Sequence, residues 1–341
     1  MPFDDDFCEV FRTFQTTARR IVAAAPPLRA ALPPPPALVR AAKLSLDVDP
    51  GDAASARRFF ARHFEPRRLD TPGFLTGYYE PSVAGSLTPT AQFCEPILAR
   101  PADLVSFAPG EDPALTAARK GADGALYPYP DRAEIEETHK NPVVWLADAV
   151  EVFFIQVQGS ARVNLPDGRQ VRLVYDGRNG KPYSSIGRHL IETGAIRPED
   201  MSLARLKSWL RENGLEPGER GRETMRLNRS YIFFRLEDAL DPADGPIGGA
   251  GAPLTTLRSL AVDRTLWPYG LPYTIEAELP WRGAQIASFR RLMIGQDTGS
   301  AIVGPARFDI FFGTGDAAGE RAGSIRHPAA ITAFWPRETT R

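Results

Sequence analysis

Two cysteines and four histidines in 341 residues leave little material for the commonest kinds of catalytic site. Cys8 and Cys94 are too few for a disulfide framework and lack metal-ligand spacing, so both are expected to be small buried side chains. His63, His139, His189 and His327 stand apart with no paired-histidine motif, which counts against a zinc enzyme and against a Ser-His-Asp hydrolase. An excess of charge is missing too. With 41 basic and 42 acidic residues the net charge is −1, so no overall field draws the chain to nucleic acid. No apolar run approaches the ~18 residues of a membrane-spanning helix. The opening Met1-Pro-Phe-Asp-Asp-Asp-Phe-Cys8 has neither a basic start nor an apolar core, so it does not read as a secretory signal. The expectation is a soluble chain, with any export signal trimmed or the start placed too late.

What is present is ordinary globular material, 43% hydrophobic and 24% charged, and long enough for two domains. Phe7, Val10, Phe11, Phe14, Ile21 and Val22 fall near helical spacing, with Asp4–Asp6 suited to a helix N-terminus. Pro33–Pro36 reads as a stiff spacer. A second helix is expected after Asp49-Pro-Gly-Asp52, carrying Phe59, Phe60 and Phe64 on one side, with His63 among them as a structural residue. From Gly73 the texture turns to strands. Residues 74–80 form an aromatic strand stopped by Pro81. Val152-Phe-Phe-Ile-Gln-Val-Gln158 and Val171-Arg-Leu-Val-Tyr175 read as a hairpin joined through Pro166-Asp-Gly-Arg169. Helices capped by Ser184/Ser185 and by Ser202 should close at Gly194 and Gly214. Tyr231–Arg235 returns to strand, and Leu257–Leu279 opens a β-rich C-terminal region. The glycine-rich stretch 245–251 reads as a flexible loop, without the strand-to-helix context of a phosphate cradle. Many short strands, Gly/Pro turns and a few peripheral helices predict barrels rather than a doubly wound sheet.

The densest chemical signal lies in residues 295–313. Asp297 sits in a turn-like run with Thr298 and Gly299, and Asp309, twelve positions on, is embedded in the apolar strand Arg307-Phe-Asp-Ile-Phe-Phe312. Such a strand makes a carboxylate costly to ionise and raises its pKa, as a general acid at neutral pH requires. Asp263 is a third aspartate in an apolar setting. Three aspartates without His or Cys suggest carbohydrate chemistry, or an oxygen-ligand cation site for which no closely spaced carboxylate loop exists. Tyr78, Tyr79 and Glu80 end a strand, where side chains often face a cleft. Gln156 and Gln158 at i and i+2 would share one face of a strand beside Gly159 and Ser160. Rings beside amides and hydroxyls suit sugars; a plain polar sheet face is the competing reading.

The order and spacing of several segments resemble the membrane-bound lytic murein transglycosylase A family. They are Gly77-Tyr-Tyr-Glu-Pro81, Phe154-Ile-Gln-Val-Gln-Gly-Ser160, Tyr175-Asp-Gly177 with Tyr183-Ser-Ser-Ile-Gly187, Asn228-Arg-Ser-Tyr-Ile-Phe-Phe234, Arg258-Ser-Leu-Ala-Val-Asp263, and Asp297 to Gly313 with Ala322-Gly323. The resemblance runs from about Gly73 to Arg326. It implies a six-stranded double-psi β-barrel built from residues 1–81 and 232–341, interrupted by a smaller inserted β-barrel at residues 82–231, with glycan in the groove between them. It implies non-hydrolytic cleavage of the β-1,4 bond between N-acetylmuramic acid and N-acetylglucosamine, leaving a 1,6-anhydromuramoyl end. By match to the family motif Asp309 is the catalytic acid, Asp297 and Asp263 support it, and Tyr78, Tyr79, Gln156, Gln158, Gly159, Ser160 and Arg307 bind substrate. No cofactor or metal is implied. The expected partner is the peptidoglycan glycan strand, met by a monomer open to recruitment into cell-wall complexes in the periplasm, at the outer membrane. Family members are commonly lipid-anchored through an N-terminal cysteine, and Cys8 has no lipobox before it.

A one-acid mechanism is chemically economical. A hydrolase of this bond needs two carboxylates, because water or an enzyme nucleophile attacks the far face of the sugar. A transglycosylase uses the sugar's own O6, an intramolecular attack with a large effective concentration. Holding the acid protonated requires a pKa near ~6, roughly 3 kcal/mol of environmental bias. A two-carboxylate glycoside hydrolase and a non-catalytic, expansin-like glycan-binding protein are the alternatives.

Overall fold

The computed structural model describes residues 5–108, 116–138, 141–238 and 244–338; Met1–Asp4 and His139 of the sequence reading lie outside them. The chain forms two compact units, Met1–Tyr79 with Ala243–Arg341, and Glu80–Pro242. Its first stretch holds α1 (Phe7–Val22), α2 (Pro36–Ser45), α3 (Ala53–His63), β1 (Phe64–Arg68) and β2 (Gly73–Glu80). The middle stretch holds β3 (Ser82–Ser86), β4 (Glu95–Leu98), β5 (Leu104–Ser106), β6 (Ala117–Lys120), β7 (Leu126–Pro128), α4 (Arg132–Thr138), β8 (Pro142–Leu146), α5 (Ala149–Gln158), β9 (Ser160–Asn164), β10 (Gln170–Arg178), α6 (Ile186–Glu192), α7 (Leu203–Glu212), α8 (Arg220–Arg226) and β11 (Ile232–Glu237). The last holds β12 (Ser259–Ala261), β13 (Pro272–Leu279), β14 (Ala287–Asp297), β15 (Arg307–Thr314), α9 (Asp316–Gly323) and β16 (Arg326–Pro336).

In the first unit the strands run β1-β16-β13-β14-β12-β15-β2, and β16 also pairs with β2, so six strands close on themselves and β1 hangs on the outside of β16. Closure removes the sheet edges. The β16–β2 seam is antiparallel, with Arg326 opposite Thr76 and Ala329 opposite Gly73. Strand β12 runs parallel to β14 and antiparallel to β15. Helix α9 packs on β15, and position 77 makes room for it. A Cβ on Gly77 would stand 2.7 Å from Ala322 Cα and 2.9 Å from the Phe312 ring, so any side chain there would push the helix off the strands.

Helix α1 begins where Asp6 accepts a hydrogen bond from Glu9 N, and its apolar face buries Val10, Phe11 and Phe14. Those rings meet Phe59, Phe60 and Phe64 at centroid distances of 5.1–6.0 Å, edge-on in every pair but the tilted Phe14–Phe59, and edge-on contact is favoured by the ring quadrupole. Phe64 belongs to β1, not to the helix that the spacing suggested. The proline run was expected to be only a spacer, yet Pro36 starts α2: proline suits the first helical turn because its missing N–H has no partner to lose there. Buried Arg258 ties α1 to the barrel, donating to Glu9 (2.7 Å) and Asp5 (2.9 Å).

The second unit is a sheet in the order β11-β10-β9-β3-β8-β4, with a separate three-stranded sheet β5-β6-β7. Its edge strands β11 and β4 approach each other, curling the sheet round toward the second barrel that the sequence reading expects. Strand β11 pairs with β10 in six registered positions. Residues 232–237 therefore belong to the inserted unit and not to the barrel, as the sequence boundary had placed them.

The largest departure is α5. Residues 152–158 were expected to be a strand with Gln156 and Gln158 on one face; they are helix, capped by Asp148 accepting from Glu151 N and stopped by Gly159 at φ 86°. The reason is visible in the packing. Val152 and Ile155 enter the sheet core with Val163, Leu173 and Phe234, while Val150, Phe153 and Phe154 pack with Leu190, Trp209 and Leu210. A helix buried on all sides has no polar stripe, so its 3.6-residue period is invisible. The hairpin itself exists, between β9 and β10. Ser185 and Ser202 cap α6 and α7 as expected. Cys94 is exposed, contrary to expectation, because it lies in the irregular stretch just before β4; Cys8 is half-buried and reaches Gly51 O at 3.3 Å.

Glu80 closes β2 as a fully buried carboxylate, not as a cleft-facing one. Arg162 and Arg172 donate to its two oxygens at 2.9 and 2.7 Å. Removing one member of a buried ion set leaves an uncompensated charge, worth about 3–5 kcal/mol. Glu80→Gln is expected to lower amide protection across β9 and β10 by that amount in hydrogen exchange while barrel amides hold theirs; unchanged protection in β9 and β10 would remove Glu80 from this role.

Candidate active site

Ala261 of β12 has Asp309 of β15 as its register partner on one side and Asp297 of β14 on the other. Register partners share a face of a sheet, so the two aspartates straddle a methyl group, their backbones about 10 Å apart at two strand spacings. A register shift makes this possible. Leu260 pairs with Gly295 and Ala261 with Asp297, so Gln296 is the extra residue of a bulge, the usual device for re-aiming a side chain beside a site. Gln296 is fully buried and pinned: Ser259 Oγ donates to its Oε1 (2.5 Å), and its Nε2 donates to Thr17 Oγ1 (2.7 Å) of α1.

Asp309 is part-buried, and Thr76 Oγ1 donates to its Oδ1 at 2.7 Å. Its pKa is raised to about 6. Loss of water is the chief cause; Arg307 and the Thr76 hydrogen bond oppose it, and the Asp297 charge adds the smallest push. Arg307 Nη2 donates to Thr76 Oγ1 (2.8 Å) and Nη1 to Phe308 O (2.6 Å), and its guanidinium lies 5.5 Å from the centre of the Phe74 ring, 45% exposed. Burial lowers the Arg307 pKa and Asp309 raises it back in part.

Asp297 is also raised by burial, against Arg29 and two backbone donors. Gly249 N and Thr298 N both donate to Oδ1 at 2.8 Å. Arg29 is held by Nη1 to Thr298 O (2.6 Å) and by its backbone N to Gly249 O (3.0 Å). The buried Tyr78 hydroxyl faces Asp297 short of well-formed hydrogen-bond geometry, and burial followed by the charges of Asp297 and Asp309 pushes its pKa well above the ordinary range.

Other residues singled out in the sequence take different positions. Asp263 is buried with both oxygens occupied: Oδ1 accepts from Thr265 N (2.9 Å) and Oγ1 (2.6 Å), Oδ2 from Gly304 N (2.7 Å). It clasps the turn after β12 to the loop that leads into β15. Tyr79 is buried with its ring over α9, where a Cβ on Gly319 would come 2.7 Å from it. Gln156, Gln158, Gly159 and Ser160 belong to the second unit. There Gln156 is buried and accepts from Arg132 Nη1 (2.5 Å), part-exposed Gln158 ends α5, Gly159 caps it, and Ser160 opens β9 opposite Val174. Thr76, Arg29 and Gly249 were missed. Thr76 shares the Tyr78 face of β2 by simple alternation and could have been found; Arg29, 269 residues from the Thr298 it holds, carries no local signal. Among the described residues no group of three His, Cys, Asp or Glu is placed to hold a metal ion.

A closed β-barrel that presents a part-open carboxylic acid of raised pKa beside a second aspartate is suited to proton transfer. Residues 74–235 match the MltA specific insert domain and residues 258–335 the 3D domain. The chain is 31% identical over 288 residues to membrane-bound lytic murein transglycosylase A of Escherichia coli K12, covering 81% of this chain and 70% of that protein. The crystal structure of a membrane-bound lytic murein transglycosylase from Agrobacterium tumefaciens superposes with a TM-score of 0.85 at 35% identity, over 98% of this chain and 94% of that one. Escherichia coli MltA with bound chitohexaose gives 0.69 at 26% identity, over 98% and 90%. The chain belongs to the membrane-bound lytic murein transglycosylase A family.

The pKa of Asp309 has a consequence for stability. A carboxyl whose folded pKa of about 6 exceeds its ordinary 3.8 favours the fold fully below pH ~3.8 and loses that contribution as pH rises through 6. Asp309→Asn is therefore expected to be more stable than the parent at pH 8, by up to about 3 kcal/mol, with the gap closing below pH 4. Paired denaturation curves at the two pH values check it; a gap independent of pH would mean an ordinary pKa.

Proposed function

We propose that this chain is a peptidoglycan lytic transglycosylase that cleaves the β-1,4 bond between N-acetylmuramic acid and N-acetylglucosamine, with Asp309 as its single acid and base. The observation that carries the reading is the raised pKa of Asp309 on a closed barrel, together with the family to which the chain belongs. A relative of known structure holds chitohexaose, a β-1,4-linked N-acetylglucosamine polymer with the same linkage type as the glycan strand.

Protonated Asp309 gives its proton to the glycosidic oxygen as the C1–O bond breaks, and the free O4 hydroxyl leaves on the N-acetylglucosamine. The muramoyl O6 attacks C1 and surrenders its proton to the Asp309 carboxylate, which is thereby reset. Atoms balance without water. Asp297, anchored by two backbone amides, supplies negative character near the positive charge that develops at C1. Phe74 and Arg307 offer a sugar face a ring and a cation. The same reading places the protein in the periplasmic cell envelope, acting on glycan strands as a monomer. No helix of the described residues is long and apolar enough to cross a membrane.

Digestion of purified sacculi in ¹⁸O-water should release muropeptides one water lighter than hydrolytic products, with no label in the new muramic ends, and chelators should leave the rate unchanged. Label at each new end would establish a two-carboxylate hydrolase instead. Asp309→Asn should fold and lose about 10²–10⁴ in rate; retention of more than a tenth of the activity would take the acid role from Asp309.

A further inference from the structure

Thr76 has one hydroxyl proton and two strong neighbours. Arg307 has only N–H donors to offer, and its Nη2 points at Thr76 Oγ1 from 2.8 Å. The hydroxyl must accept there, which leaves its own proton for Asp309 Oδ1 at 2.7 Å. The direction of the chain is thus fixed by a group that cannot be reversed. Arg307 is itself held, by Phe308 O and over the Phe74 ring, and Thr76 lies in the β2 ladder opposite Arg326.

We infer that Thr76 is a positioning residue that reserves Oδ1 of Asp309 as an acceptor, so that the transferable proton always sits on Oδ2. This rests on the reading of Asp309 as the acid. An acid whose proton could sit on either oxygen would spend part of its time aimed away from the scissile bond; one oxygen engaged by a polarised hydroxyl removes that ambiguity. The other groups facing Asp309 do not duplicate the function. Arg307, on its own strand, acts through Thr76; β12 contributes only Ala261; Asp297 from β14 is an acceptor; Tyr78 from β2 faces Asp297, as does Arg29. Helix α9, packed on β15, carries Asp316, Glu320 and Arg321.

The test compares Thr76→Val, which keeps the shape and removes the hydroxyl, with Thr76→Ser, which restores it, on purified sacculi across pH. The Thr76 hydrogen bond favours the ionised carboxylate, so its loss should raise the pKa and move the alkaline limb of kcat to higher pH. Thr76→Val is expected to lose about tenfold or more in kcat, in keeping with one hydrogen bond to a charged group, with KM within about threefold. Thr76→Ser should recover both the rate and the limb. If Thr76→Val folds poorly, the ¹³C titration of the Asp309 carboxyl in Thr76→Ala gives the same reading: a raised pKa supports the inference, an unmoved one overturns it. Valine and serine variants equally impaired, or a valine variant with the parental limb, would also overturn it, leaving Thr76 a packing residue. Activity surviving in Asp309→Asn would instead remove the acid reading itself, so the two failures are distinct.

Discussion

Everything at the site follows from where the barrel shuts. β2 is the strand that completes the ring, hydrogen-bonded to β16 on one side and next to β15 on the other, and it is also the strand that brings Thr76 and Tyr78 to the aspartates. An open sheet would leave β15 as an edge, with Asp309 in water and an ordinary pKa. Closure strips that water while supplying one hydroxyl in return. The resulting compromise, a carboxyl stripped of much of its solvent but still reachable, is what a general acid near neutral pH demands. Burial dominates the rise in the Asp309 pKa, and the neighbouring Asp297 contributes least.

The barrel was legible in the sequence because its strands are short, its turns are marked by glycine and proline, and Asp309 interrupts an otherwise apolar run. Asp297 was legible as a residue but not as a geometry, since the bulge at Gln296 that brings it level with Ala261 leaves no mark on alternation. Asp263 shows the limit of reading by residue type. In sequence it is a third acid in an apolar setting; in space its oxygens are consumed by Thr265 and Gly304. Helix α5 failed for a different reason, the loss of periodicity when both faces are buried. Arg29 and Gly249 were invisible because chain separation, not pattern, brings them to Asp297.

The two units solve the problem of buried charge in opposite ways. Around Glu80, two arginines pair with the two oxygens of a carboxylate. Around Asp309 one arginine is present but is spent on Thr76 and on a carbonyl, so the acid keeps its proton at nearly neutral pH. The contrast explains why Glu80, despite its place in the same strand as Thr76 and Tyr78, is built for rigidity and not for proton transfer.

Ala261 acts as a gauge block between two acids. Because both are its register partners, the spacing of the two acids is set by a third residue that has no chemistry of its own, buried among Tyr78, Leu254, Ile302 and Phe311. The distance between two charges that never touch is thus fixed by the backbone ladder of a three-residue strand, and packing around one small side chain holds that strand in place.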